Sequence, residues 1–436
     1  MYPPLNNLIN GKIITTGRTT NNNIFSTKYI LCLFSLTFIF CLYFLLQIWP
    51  NNSYVNYKII LNKKLINSNL LFGRKGLEKC IENDENKNDT KLSSKCYGEE
   101  MAYSFIFQTN DKLTKNMVIG RRFDCKHLQL IDKYKLTDKY KIKQEIPMKR
   151  PGSKGFTFVT ASSIPYYNTM KKLLFDLKKQ FGCSQKIIGY DLGGVSEDKN
   201  KMEELNAVCG LEWRKFNWSI MSADLRLPLV YAWKIYILAE IYSEYDTFIW
   251  MDSSIVINGN SLNSIFDGME NSTISKAIFP RNAEPSHGVQ FATNVRTYNF
   301  IPLVSNLIKI DNKWDERMIC ACFSIMHKSE YTRQLLKWAL LCAATKQCIN
   351  PDGSKLACPG ASSTPSCHRF DQSVFALLTV NNEYQRHVLD NDKNFLPHFR
   401  SNHPRTKIRY QLQRGTSLDK NLDFKKGVEC CQKPFD

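Results

Sequence analysis

A mixed, mainly parallel α/β sheet flanked by helices is the fold class predicted for residues 151–436. Three observations predict it. Apolar runs of strand length alternate there with helical stretches. Several runs end in small or acidic residues, as strands that open onto a ligand crevice do. The chain has 436 residues, 43% of them hydrophobic and 12% aromatic, which supplies a sizeable core and excludes wholesale disorder.

The elements follow in order. PGSKG (151–155) is a turn cluster. GFTFVTASS (155–163) is a β-rich run, and residues 166–182 carry apolar side chains at helical spacing with Gly182 as a stop. QKIIGYDLGG (185–194) predicts a second strand, 198–210 a charged helix and LEWRKFNW (211–218) a third strand. LPLVYAWKIYILAEIYSEY (227–245) predicts a long amphipathic helix. DTFIWMDSSIVIN (246–258) predicts one buried strand carrying Asp252. Thr160, Ser162, Asp191 and Asp252 all fall at strand carboxyl ends, where open α/β sheets bind ligands.

Upstream, residues 29–49 form an uncharged apolar run long enough to span a bilayer as a helix. Lys12, Arg18 and Lys28 precede it without an acid, which favours a cytoplasmic N-terminus. The run is long for a signal-peptide core and no small-x-small cleavage site follows it. The expected plan is a cytoplasmic tail (1–28), a transmembrane signal anchor (29–49), a stem (50–96), a small cap or stem extension (97–150) and a lumenal domain (151–436). Within the stem, NDENKND (83–89) has the composition of solvated chain. Of the cap, 101–108 reads as a strand, and 128–136 as a strand or a short helix. A Golgi membrane location follows, with the endoplasmic reticulum as the alternative.

Sequons at Asn51, Asn88, Asn217 and Asn271 agree with a lumenal body. So do the 15 cysteines, of which only Cys32 and Cys41 lie in the span. Thirteen remain, an odd number, so at least one is free or intermolecular. Cys183 and Cys209 bracket one strand–helix unit and are a plausible local pair. Cys348, Cys358 and Cys367 frame a Pro/Gly/Ser-rich loop, as a stapled insertion would. Zinc is not expected, because no paired C-x₂-C spacing occurs. The net charge of +19 is spread through a chain rich in Lys and Asn. Residues 51–150 alone hold 21 basic and 12 acidic side chains, and no compact basic motif accompanies them, so no nucleic-acid partner is expected.

Tyr231-Ala-Trp-Lys234, then Trp250-Met-Asp252-Ser-Ser254, then CHRFDQSVFALL (367–378) is an order that resembles nucleotide-sugar glycosyltransferases of the GT-A, Rossmann-like fold. The run from WRKFNWS to FDQSVFALL also resembles a nematode-rich family of uncharacterised type II membrane glycosyltransferase-like proteins, over about residues 154–410. The resemblance implies transfer of a sugar from a nucleotide-sugar donor to a glycan or protein hydroxyl. It implies that Thr160, Ala161, Ser162 and Asp191 border the nucleotide, and that Lys234, Asp252 and Ser254 hold the diphosphate. Asp371, with His287 and His368, would face the acceptor, and Arg369 could serve the same pocket. Asp252 and Asp371 are the candidate catalytic residues.

One departure stands out. The family motif is Asp-x-Asp, and here the second Asp is Ser254. One carboxylate is a poor site for a hard cation such as Mn²⁺ or Mg²⁺. Ser254 and a distant His, His403 or His398, could complete a site with Asp252. Alternatively Lys234, Arg281 or Arg405 neutralises the phosphates without metal, or catalysis is lost and a glycan- or protein-binding module remains. Structural roles compete at each position. Asp252 could form a turn, Asp371 could cap its helix, Lys234 could reach solvent along its stem, and Trp213, Trp233 and Trp250 could be core. A glycosidase fits less well, because spacing fixes no second strand-end carboxylate.

Overall fold

The computed structural model describes residues 94–108, 115–258, 262–279, 288–289, 292–303, 318–358, 367–395, 411–414, 424 and 428, all within one compact unit spanning Asn69–Asp436. The elements used below are a hairpin of β1 (Ser104–Gln108) and β2 (Lys115–Ile119), helix α1 (Leu128–Lys133), then β3 (Phe156–Ser162), α2 (Tyr167–Phe181), β4 (Ile187–Asp191), α3 (Lys199–Asn206) and β5 (Leu211–Lys215). They continue with α4 (Ala232–Glu244), β6 (Thr247–Met251), β7 (Ile255–Asn258), α5 (Leu262–Glu270), β8 (Ala277–Ile278), β9 (Phe323–His327), α6 (Glu330–Ala343), α7 (Lys346–Ile349), α8 (Asp371–Tyr384) and β10 (Gln411–Arg414).

The fold is mixed α/β. Its six-stranded sheet has the order β8–β9–β6–β3–β4–β5. The β6–β3, β3–β4 and β4–β5 pairings are parallel, and β9 pairs antiparallel with both β6 and β8. Each predicted strand and helix of 155–218 is present, with ends trimmed by a few residues. Asp198 caps α3 by accepting the amides of Asn200 and Lys201. The predicted strand at 246–258 is corrected. It breaks at Asp252–Ser254 into β6, in the sheet, and β7, which pairs antiparallel with β10 outside it.

Strand alternation sorts the core. Phe156, Phe158, Ile249 and Met251 face the layer containing α2 and α5. Val159, Ala161, Ile188, Phe248 and Trp250 face the layer containing α4, α6 and α8. The amphipathic helix expected over 227–245 is corrected: α4 starts at Ala232 and is buried on nearly all sides, between the sheet and α6, as its apolar sequence AWKIYILAEIY reflects. Gly189 is needed at the β4–β5 contact, since a Cβ there would lie 2.4 Å from the Trp213 ring. Trp213 is thereby a packing residue.

Residues 97–150 dock on α6. Within them the predicted strand forms as β1, and 128–136 resolves to helix α1. Arg333 and Lys337 of α6 are fully buried; Arg333 pairs with Asp138 and Glu330, and Lys337 with Glu99. The Cys96–Cys125 disulfide ties the segment together. Cys342 pairs with Cys348, and Cys358 with Cys367, so the stapled loop is there with its own partners. The expected Cys183–Cys209 pair is corrected: Cys209 is a free thiol, and Cys183 is disulfide-bonded elsewhere. Among the described residues no helix is long and apolar enough to cross a membrane; the 29–49 span lies outside them.

Candidate functional site

The site forms where β6 ends. Residues 248, 250 and 252 share one face of that strand by its two-residue period, so Asp252 emerges on the α4 side. The β3–β6 register pairs Val159 with Trp250, and its continuation sets Ala161 level with Asp252. Lys234 lies in the first turn of α4, whose N-terminus meets the same sheet edge. Asp371 is the first residue of α8. Three elements distant in sequence therefore bring three charged groups together.

Their geometry is tight. The Lys234 ammonium lies 3.1 Å from a carboxylate oxygen of Asp252 and 3.1 Å from one of Asp371. It also donates to the Ala321 carbonyl at 3.1 Å. The faces of Tyr231 and Trp250 stand 5.3 and 5.5 Å from the ammonium, within cation–π range. Lys234 and Asp371 side chains are 4% and 5% exposed, while that of Asp252 is 20% exposed. Asp252 is thus the carboxylate that faces outward. Burial alone would depress the Lys234 pKa, but the charges of Asp252 and Asp371 outweigh it and push it up to about 12. Burial raises the carboxyl of Asp371, against the opposing pull of Lys234. Asp371 Oδ2 is buried, and the Lys234 ammonium is its partner among the described residues.

Sequence reasoning missed the parts that hold this triad. The Trp250 indole N–H donates to Asp252 Oδ1 at 3.1 Å, and the Asp252 amide donates to the Cys322 carbonyl at 2.8 Å. Cys320 and Cys322 are disulfide-bonded, so the Ala321 and Cys322 carbonyls that grip Lys234 and Asp252 belong to one small ring. The C-x-C spacing was the available signal. Tyr231 and Phe370, each immediately before a helix carrying a site residue, have φ of 55° and 48°. Bulky residues in that region are strained, and such strain gathers at functional sites. Opening the ring with Cys320→Ala and Cys322→Ala is expected to lower stability by about 1–2 kcal/mol, from the loop entropy of so short a ring. Urea unfolding of the double variant checks this; unchanged stability would mean that the ring does not constrain the site.

The other expected residues separate. Thr160, Ala161 and Ser162 line the end of β3 next to β6, all buried, with the Thr160 hydroxyl lacking a partner among the described residues. Ser254 lies in the turn after Asp252. Asp191, expected to border the nucleotide, is buried at the end of β4. Its carboxylate accepts the amides of Gly193, Val195 and Ser196 and shapes the loop after β4. His368 is corrected from acceptor contact. It is fully buried, accepts the Asn294 amide at Nδ1 and donates to the Ile349 carbonyl from Nε2. Asp371, expected to face the acceptor, is almost sealed behind Lys234 and acts on that ammonium instead. Arg369 binds the Leu356 carbonyl. Of the other tryptophans, Trp233 is core and bonds the Pro228 carbonyl. The sequons at Asn217 and Asn271 are exposed. His287, His398, His403, Arg281, Arg405, Asn51 and Asn88 lie outside the described residues.

A divalent cation does not fit the described residues. No group of three or more His, Cys, Asp or Glu side chains there could hold one. The Lys234 ammonium already pairs with Asp252, and its charge would repel such an ion there; His398 and His403, the expected further ligands, lie outside the described residues.

A family model described as "Protein of unknown function (DUF1647)" matches residues 94–239. No curated protein sequence matches the chain. Among solved structures the chain is similar to the galactosyltransferase LgtC (10% identity, 41% of this chain and 59% of that chain, TM-score 0.23). It is also similar to mouse xyloside xylosyltransferase 1 (12% identity, 51% and 81%, TM-score 0.29). A third is the mannosyltransferase Ktr4p from S. cerevisiae (12% identity, 51% and 73%, TM-score 0.28). The chain thus spans 59% of LgtC's length. Scores this low carry no functional argument, and the fold rests on its own strand order.

Proposed function

We propose that this chain is a nucleotide-sugar glycosyltransferase of the secretory pathway, with a GT-A-like lumenal domain held at the Golgi membrane by residues 29–49. The observation that supports it most is Lys234 buried between Asp252 and Asp371 at the carboxyl edge of the parallel strands. In this reading an acceptor hydroxyl of a glycan or glycoprotein attacks the anomeric carbon, the bond to the nucleoside diphosphate breaks, and the hydroxyl proton passes to a carboxylate. Asp252 takes that role as the exposed member of the triad. Lys234 pairs with Asp252 and holds it in place, and Asp371 is the second counter-ion that fixes Lys234. Thr160, Ala161 and Ser162 border the donor pocket. Lys234 already carries two carboxylate partners, so in this reading Arg281 or Arg405 neutralises the leaving diphosphate.

That same pairing of Lys234, with Ser254 in place of a second Asp, favours a second reading: a binding module without turnover. One experiment separates them. Purified full chain is mixed with UDP- and GDP-sugars, with and without Mn²⁺, and donor hydrolysis and thermal shift are recorded. A transferase gives donor-specific hydrolysis that falls at least 100-fold, an effect on the order of that of a general base, in Asp252→Asn. A folded wild type with neither hydrolysis nor shift for any donor leaves the binding module.

A further inference from the structure

Two short turns beside the triad hold apolar side chains out to solvent. Ile164-Pro165-Tyr166 follows β3, and Leu227-Pro228-Leu229 precedes α4. Half or more of each of Ile164, Tyr166, Leu227 and Leu229 is exposed. Both turns stand at the sheet edge where Asp252 emerges, since β3 ends at Ser162 and α4 carries Lys234 in its first turn. Burial raises the Tyr231 pKa; Tyr166 is among the smaller causes, which places its phenol near that ring and the two turns near one another. Large apolar side chains gathered at one rim mark a surface that contacts protein or membrane.

The backbone of these turns is already bonded. The Ile164 amide donates to the Gly193 carbonyl, Tyr166 to Ser163, Val230 to Leu227 and Tyr231 to Pro228. Pro165 and Pro228 have no amide to satisfy. The Trp233 indole N–H donates to the Pro228 carbonyl at 2.9 Å, which fixes the second turn on α4. No charged residue lies within 160–170 or 227–233. Arg226, next along the chain, donates back to the Met221 carbonyl.

This pattern separates two kinds of occupant. A peptide docks through unpaired backbone groups of a strand edge or into an apolar groove, and these turns spend their amides internally. A bilayer interface asks for apolar side chains outward, no charge, and backbone groups satisfied in advance. Tyrosine also favours the membrane–water boundary. We infer that the Ile164–Tyr166 turn and residues 227–229 dock on the bilayer surface, which sets the mouth of the triad site against the lipid. The inference rests on the anchor proposed for residues 29–49, which keeps a bilayer within reach of the domain.

The test uses the full chain in phosphatidylcholine nanodiscs doped with a phosphatidylcholine that carries a diazirine near the headgroup end of one acyl chain. After irradiation, labelled peptides are mapped by mass spectrometry. Label is expected in 29–49 and in both turns. Leu227→Ser combined with Leu229→Ser lowers the label in the Ile164–Tyr166 turn by about fivefold or more, because the turns enter together. Thermal stability of that variant holds, since both leucines are half exposed. The readout needs no turnover, so an inactive chain leaves it intact. Label confined to 29–49 overturns the docking, keeps the anchor and leaves the turns to a protein partner; label in neither place overturns both. Label on Ile106, Met117 and Ile119 of the β1–β2 hairpin, another exposed apolar set, in place of the turns would overturn it as well. So would a first turn labelled equally in wild type and the double variant.

Discussion

Lys234→Met is expected to destabilise the fold by about 3–5 kcal/mol at neutral pH, the cost of removing one partner from a buried ionic cluster. The substitution leaves Asp371 buried at the start of α8, with its neighbour Asp252 bringing repulsion in place of shared attraction. Methionine fills the space and supplies no charge, so the loss is electrostatic. Two checks isolate it. Adding Asp371→Leu returns most of the stability, because an apolar replacement of a buried pair is often neutral. The pH dependence has a defined sign. Asp371 already titrates above its ordinary value in the folded chain, and loss of Lys234 raises it further. A raised folded-state pKa stabilises in acid and is lost as pH rises, so the gap between variant and wild type opens as pH rises through that window. Urea midpoints at several pH values measure it. A variant as stable as wild type at pH 7 would show that the ammonium is not the counter-ion of Asp371.

The triad was half legible. Asp252 could be placed because an apolar strand run ending in an acid points to the crevice of a parallel sheet. Lys234 stood out because a cation interrupts the apolar sequence of α4. Their partnership could not be read, since the α8 contribution depends on how α8 packs against α6 and α4. Local apolar content made 246–258 look like one strand; the break reflects the Asp252–Ser254 turn and the pairing of β7 with a segment over 150 residues away. Strand β9 enters antiparallel from far along the chain, and its apolar run FSIMH lacks a flanking repeat unit to announce it. The cysteine error has the same origin. Proximity in sequence favoured Cys183–Cys209, while pairing follows spatial neighbours.

His368 shows how a polar residue beside a site can be structural, and its titration makes that measurable. Its neighbours in sequence, Arg369 and Asp371, suggested a substrate pocket. Its neighbours in space are backbone: the Asn294 amide on Nδ1 and the Ile349 carbonyl on Nε2. Accepting at Nδ1 fixes the neutral ring, and protonation would turn that acceptor into a donor facing another N–H. Burial, only partly offset by the bond to Ile349, lowers its pKa to about 4 from an ordinary 6.5. A depressed folded-state pKa means that the unfolded chain binds the proton first. The stabilisation is complete above the ordinary value and is lost as pH falls toward 4, by on the order of 3 kcal/mol. Asp371 runs the opposite way, so the residue's share must be taken as a difference. Wild type and His368→Asn, whose Oδ1 can still accept the Asn294 amide, should therefore converge as pH drops from 7 to 4. Parallel stability curves over that range would mean that the imidazole titrates normally, and would return His368 to the solvent-facing pocket that its sequence position suggested.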